Sequence, residues 1–594
     1  MKRSDQKIEN TWRLEDIFES LEDYKKEVEE INQLLEKLEG YQGKLDQGHQ
    51  LYHMFQDYEV LSKLFSRVYV YANQLNHQDT GNAESQKLCG ECDLLAMKVN
   101  MTCSYIDPEI LSIDEKRLEE IRKQDDFKEY DRSLDMILKS KAHILSKEME
   151  ALLAKVSDIT STSDNVYSMF NNADIRFNDV KDKDNVIHPL THGTYIKYME
   201  SDDRKLRKHA FKEMYRVYKQ FNNTLSSNYY GMLKCSDFFS KERHYKNTLE
   251  AELESNEIDL NVYDQLIHSI HDHMDAMYKY VDLRKKALGL DELHMYDVYA
   301  SLSNMPSKKY SIDEGKALCL KALAPLGEDY LEIVKEGFNN RWIDVYENEG
   351  KRSGAYSWGC YGTHPYMLLN YTDTLNDVFT LIHEMGHSMH TYYSNTHQNV
   401  FNSEYRIFVA EVASTCNEAL LIHYLMNHTE DKEEKKYLIN YFLDQFKGTM
   451  YRQTMFGEFE KAVHLKVSNG EMLTGNDFNQ IYYDLNKLYF GDGMVLDEEI
   501  QYEWSRIPHF YTPFYVYQYA TSFAAAISIS TKILNGEEGI VEKYKQFLSS
   551  GCSDTPINLL KICDVDMSKQ DPIDQALDVF EEYVNKLEEL LEEE

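Results

Sequence analysis

Nine prolines spread over 594 residues leave this chain few places where a helix is forced to stop. Proline removes a backbone donor and clashes with the preceding turn, so its scarcity favours long helices over a turn-rich β architecture. The apolar spacing agrees. Tyr24, Val28, Ile31, Leu35 and Leu38 recur by fours and threes, and Gly40 follows as a stop. Similar stretches cover Leu51 to Asn76, Ser85 to Ile106 and Leu134 to Val156. A division falls near the Asp-, Asn- and Lys-rich run Ile175 to Ile187 and the turn residues His188 to Tyr195. The expectation is a mostly α fold of two regions, an amino-terminal helical domain over 1–195 and a larger domain over 196–594.

One section breaks the helical pattern. Gly354 to Tyr371, GAYSWGCYGTHPYMLLNY, is rich in Gly, aromatics and β-formers, with turn signals at Gly362 and Pro365. It predicts a strand or two in a small sheet. Cys360 lies in this section and is a candidate for modification by thiol reagents.

The formal charge of −37 excludes whole classes of partner. A duplex nucleic acid would be repelled, and no basic run stands apart to receive one. No stretch approaches the roughly 18–20 apolar residues of a membrane span, and Met1 to Glu30 has no apolar signal-peptide region. Nine scattered cysteines read as reduced thiols, with the lone pair Cys89 and Cys92 a coincidence of helix spacing. These features predict a cytoplasmic protein without nucleic-acid, membrane or obligate protein partners.

Chemistry concentrates directly after the strand-like section. Thr374 and Asp377 form a capping-box pattern that starts a helix. Val378, Leu381, Ile382, Met385 and Met389 then make one apolar stripe, with His383, Glu384, His387 and His390 away from it. His383 and His387, at i and i+4, stand one above the other, so two imidazoles can reach one metal ion. Glu384 beside them is placed to act as a base on water without binding the metal. This H-E-x-x-H pattern needs a third ligand and an open position to make a catalytic zinc site. A second apolar helix, Ile407 to Met426, carries Glu411 and Glu418 seven residues apart on one face. Spacing alone does not choose between them, and the unchosen acid can orient a ligand histidine. His390, at i+3 from His387, is a lesser candidate. His268 to His273, HSIHDH, reads as a solvated helix face rather than a second metal site.

At HEMGHSMH (383–390), FVAEVASTCNEALL (408–421), GCYGTHPYMLLNY (359–371), RIPHFYTPFYVYQYATSFAAA (506–526) and TWRLEDIFES (11–20), the sequence resembles the thimet-oligopeptidase-like zinc metallopeptidases. The oligoendopeptidase F branch is the most similar. The resemblance implies Zn2+ held by His383, His387 and Glu411, with Glu384 as general base toward metal-activated water. It implies His509 and Tyr519 as stabilisers of the reacting peptide, Tyr519 closing the alternation Tyr515, Tyr517, Tyr519. Gly362, His364, Tyr515 and Tyr517 become candidate substrate contacts. The implied fold is a helical ellipsoid with a deep substrate channel and a small β-sheet beside the zinc-binding helix. The implied activity is cleavage of internal bonds in short oligopeptides. A carboxypeptidase-like exopeptidase and a metal-free helical scaffold are the alternatives.

Overall fold

The computed structural model describes residues 2–303 and 308–592. Helices carry the architecture, and the β-structure among the described residues is three small sheets of two, two and three strands. The chain forms two compact units, each assembled from separated stretches. The first comprises Met1–Lys141, Ser307–Tyr424 and Ile529–Val565; the second comprises Ala142–Pro306, Leu425–Ser528 and Asp566–Glu594.

In the first unit, helices α1 (Leu21–Glu39), α2 (Gly48–Gln78) and α3 (Ala83–Cys103) lie where the apolar period placed them. Ser20 caps α1 by accepting the backbone N–H of Asp23 at 3.2 Å, and Tyr24, Ile31, Leu35 and Leu38 are its buried face. The stretch from Leu134 to Val156 is not one helix. It is split into Asp131–Ser140 and Lys147–Thr160, with a short 3-10 turn between. The apolar period lapses across Lys139, Ser140, Lys141 and His143, so no buried stripe carries the helix through.

The section from Gly354 to Tyr371 forms the strands expected of it. Strand β1 (Ile343–Asp344) pairs in parallel with β3 (Tyr366–Leu368), and β2 (Tyr356–Trp358) pairs with β3 antiparallel, Ser357 facing Met367. The order β1-β3-β2 leaves β2 at one edge. Cys360, Tyr366 and Leu368 join the apolar cluster of the amino-terminal helices, which includes Ile31, Leu51 and Met54. Trp12 adds its ring against Tyr366, centroids 6.4 Å apart and perpendicular. The amino-terminal helices therefore clamp this sheet, and the sheet is followed directly by α4 (Leu375–His397) and α5 (Ile407–His428).

The second unit has an aromatic core around Tyr229, Phe459, Phe478, Trp504 and Phe510. Its helices include α6 (Arg452–Ser468) and the start of α7 (Tyr517–Leu534). Within it, buried Glu503 accepts from Arg452 at 2.7 Å, Tyr482 at 2.6 Å and Tyr215 at 3.0 Å. A buried carboxylate is costly alone. The Arg452 and Arg506 guanidiniums more than offset that desolvation and hold its pKa down at about 2.

Candidate metal centre

Helix α4 begins as its sequence requires. The Thr374 hydroxyl accepts the N–H of Asp377 at 3.2 Å, and the Asp377 carboxylate accepts the N–H of Thr374 at 2.8 Å. Val378, Leu381, Ile382, Met385 and Met389 are all fully buried. That packed stripe fixes the rotation of the helix and leaves His383 and His387 half-buried on another face.

The position of α5 depends on Gly386. A Cβ built on it would stand 2.5 Å from Ser414 Cα and 2.6 Å from the Ala413 carbonyl oxygen. No side chain fits there, so the α5 backbone lies directly against that of α4 one residue before His387. This contact brings both acids of α5 to His383. Glu411 Oε2 lies 3.5 Å from His383 Nε2 and 3.5 Å from His387 Nε2, and the two Nε2 atoms are 3.2 Å apart. Glu418 Oε1 takes the opposite nitrogen of His383, Nδ1, in a very short contact. An Nδ1–H donated to Glu418 leaves Nε2 as the free lone pair facing the cluster.

These separations fit a metal ion. Donors at about 2.0–2.2 Å from tetrahedral zinc stand about 3.3–3.6 Å from one another. The two Nε2–Oε2 edges, 3.5 Å each, fall in that range and the 3.2 Å Nε2–Nε2 edge lies just below it, and among the described residues these three form the one such cluster. A tetrahedral ion held by these three groups would keep one position open, the pattern of a catalytic rather than a structural site. Side-chain exposures of 27, 18 and 28 % for His383, His387 and Glu411 keep the cluster reachable from outside the packed core.

The electrostatics favour positive charge at this place. Desolvation disfavours the His383 cation, but the Glu418, Glu384 and Glu411 carboxylates outweigh it and hold its pKa up at about 9. Desolvation likewise opposes charge on Glu411, yet the His387 and His383 partners pull its pKa down to about 2. The Ser414 hydroxyl adds a hydrogen bond to Glu411 Oε2 at 3.0 Å. A dication can supply the charge that the protonated histidine otherwise provides. Glu384 is 7 % exposed, and burial raises its pKa above the ordinary glutamate value.

His390 is not part of this group. Its ring stacks parallel on Tyr405 with centroids 3.6 Å apart, and burial depresses its pKa to about 3, the state of a packed neutral imidazole. Cys360 is 1 % exposed, its Sγ is 3.0 Å from the Thr363 hydroxyl, and burial pushes its pKa to about 11. A thiol so held is scarcely nucleophilic, and its burial favours a packed, inert cysteine over a site of modification by thiol reagents. All nine cysteines are free, Cys89 and Cys92 included. In the segment His268 to His273, His271 is spoken for by Glu458 at 2.9 Å.

The remaining expected residues divide by environment. Gly362 is exposed at the turn between β2 and β3, with φ +89°, a conformation that suits glycine. The His364 ring is held within the first unit, stacked on Trp342 at 4.8 Å with Nε2 3.0 Å from Asp16. His509 is exposed in the second unit and keeps company with half-buried Tyr515 and Tyr519, at ring distances of 6.0 and 6.2 Å. Tyr517 points the other way, 1 % exposed, with its ring 4.9 Å from Tyr263. The alternation of tyrosines is thus split between an accessible side and a packed side. Glu460 of α6 accepts the N–H of Phe514 at 3.0 Å, where the backbone has φ +54°, and so anchors the segment between His509 and Tyr515. The roles of Gly386, Ser414 and Glu460 are not legible in the sequence, because a helix crossing, the rotamer of Glu411 and the anchoring of the Phe514 backbone are each set by packing.

Residues 197–579 match the family model described as Peptidase family M3, and residues 109–177 match one described as Oligopeptidase F. The chain is 46 % identical over 591 residues to oligopeptidase PepF of Bacillus subtilis (strain 168), covering 99 % of this chain and 88 % of that protein. A putative peptidase from Chlamydophila abortus has a similar structure, with TM-score 0.94 and 33 % identity over 99 % of both chains. Oligoendopeptidase-F from Enterococcus faecium has TM-score 0.75 and 35 % identity, over 96 % of this chain and 99 % of that one.

Proposed function

Since this chain belongs to peptidase family M3 and is a zinc metalloendopeptidase of the oligopeptidase F kind, we propose that it hydrolyses internal bonds of short oligopeptides at the His383–His387–Glu411 cluster. The observation that carries this reading is the set of donor separations, 3.2, 3.5 and 3.5 Å, which a tetrahedral zinc ion spans. When bound, zinc would supply Lewis acidity to the scissile carbonyl and to attacking water.

The chain's own groups do the rest. Glu384 takes the proton of the attacking water and then delivers it to the departing amine nitrogen. Burial of its carboxyl favours the protonated form and so makes the carboxylate a stronger base. Glu418 fixes the tautomer of His383, and Ser414 fixes the rotamer of Glu411. We assign to His509 and Tyr519 the donation of hydrogen bonds to the oxyanion, an assignment supported by their match to the family and their accessible side chains. One such donor is typically worth about 3–4 kcal/mol in the transition state. Gly362 and Tyr515, both accessible, are the proposed substrate contacts. The rings of His364 and Tyr517 serve packing inside their own units.

Mass analysis of the products from a short internally quenched peptide tests the proposal. Internal cleavage that stops on chelation and returns with zinc is expected. Release of terminal residues only would replace it with an exopeptidase.

A further inference from the structure

The first unit contains a groove of about 710 Å³ that no step of the reaction has used. One wall is α2, through Tyr58, Phe65 and Tyr69; another is the β2 edge at Trp358; the floor is the carboxy-terminal half of α4, through Thr391 and Asn395. The aromatic wall is continuous. Phe65 and Tyr69 have ring centroids 5.7 Å apart, and Tyr69 meets Trp358 edge-on at 6.0 Å. All three rings are half-buried, so each keeps a face toward the groove. Among the described residues of the lining, Glu404 is the one charged side chain, and it is exposed.

The groove shares helix α4 with the metal centre. Ser357 of β2 and Ser388 of α4, next to His387, have hydroxyls 2.8 Å apart. Thr391 and Asn395 follow His387 by four and eight residues, one face of one helix. At a rise of about 1.5 Å per residue they lie about 6 and 12 Å along the axis, a distance that an extended peptide covers in about two to four residues.

We propose that this groove is a specificity pocket that receives a neutral aromatic side chain of the peptide substrate, displaced from the scissile bond by that span. The inference rests on the peptidase reading above and deepens it. An apolar cavity of about 150 Å³ holds a benzene ring, so the groove has room for a ring with the backbone that bears it. Rings of the guest meet rings of the wall edge-on or offset, the favoured aromatic geometries. With a carboxylate at the groove and no cation in its described lining, an acidic side chain is rejected.

The test uses the zinc-loaded enzyme and peptides that differ at one position, carrying Phe, Ser or Asp in turn at each of the positions on either side of the cut. Phe at one of them is expected to raise kcat/KM about 10- to 100-fold over Ser, chiefly through KM. The advantage should collapse in Phe65→Ala and in Trp358→Ala while the Ser peptides are cut as by wild type. Glu404→Gln should relieve the penalty on Asp. Equal cleavage of Phe and Ser peptides at every position, or a Phe advantage that survives both alanine variants, would overturn the pocket and leave the peptidase standing. Failure of the wild type to cut any of the peptides would fell the peptidase reading and the pocket with it.

Discussion

At the scale of single residues, the pairing of His383 and His387 with Glu384 was legible in the sequence, because i and i+4 histidines beside a glutamate have one geometric meaning on a helix. The choice between Glu411 and Glu418 was not legible from spacing. Seven residues apart on α5, both acids face α4, and in the structure both reach His383, one at each ring nitrogen. Which acid meets which nitrogen depends on where along α5 the helices touch, and only the packing decides that. The consequence is a distinct role for Glu418. Glu418→Gln keeps the shape but removes the charge that holds the His383 proton on Nδ1, and zinc affinity is expected to fall about 10- to 100-fold. A competition titration against a chelating dye measures this. Unchanged affinity would mean that Glu418 does not orient the ligand.

At the scale of elements, long helices followed from scarce proline and regular apolar spacing, and the strand pair followed from its β-forming composition. The break between Ser140 and Lys147 has no proline or glycine to announce it, only a lapse in the apolar period. The crossing of α4 and α5 had a signal, Gly386 inside the motif, but a glycine within a helix does not say what approaches it. Gly386→Ala puts a methyl group against backbone at 2.5–2.7 Å, where neither helix has a flexible atom to yield. Overpacking of this kind costs about 1–3 kcal/mol. The larger effect is expected on the metal, since α5 must move and carry Glu411 with it. Thermal melting and zinc titration of this variant should both show losses. A variant that melts lower but binds zinc as tightly as the parent would separate the crossing from the site.

At the scale of the whole molecule, sequence order and compactness are different properties. Each unit draws on three separated stretches, and contacts between residues hundreds of positions apart leave no periodic trace in the chain. The proposed ligands all belong to the first unit, while His509, Tyr515 and Tyr519 belong to the second. Anything that binds only the folded site stabilises the structure that presents it. Removal of zinc is therefore expected to speed amide hydrogen exchange in α4 and α5, through 383–418, and to leave α6 of the second unit at its former rate. Exchange mass spectrometry resolves the two. Uniform acceleration in both units would show that the metal's influence is not confined to the helices that hold it.

The proposed activity requires two roles of neighbouring residues, metal binding by His383, His387 and Glu411 and proton transfer by Glu384. Zinc content and peptide cleavage, measured side by side for the wild type and Glu384→Gln, test both together. One zinc per chain in each protein, with cleavage lost by a factor of at least about 10² in the variant, is the expected result. Substantial cleavage by a zinc-loaded Glu384→Gln enzyme, or a wild type that cleaves without bound metal, would contradict it.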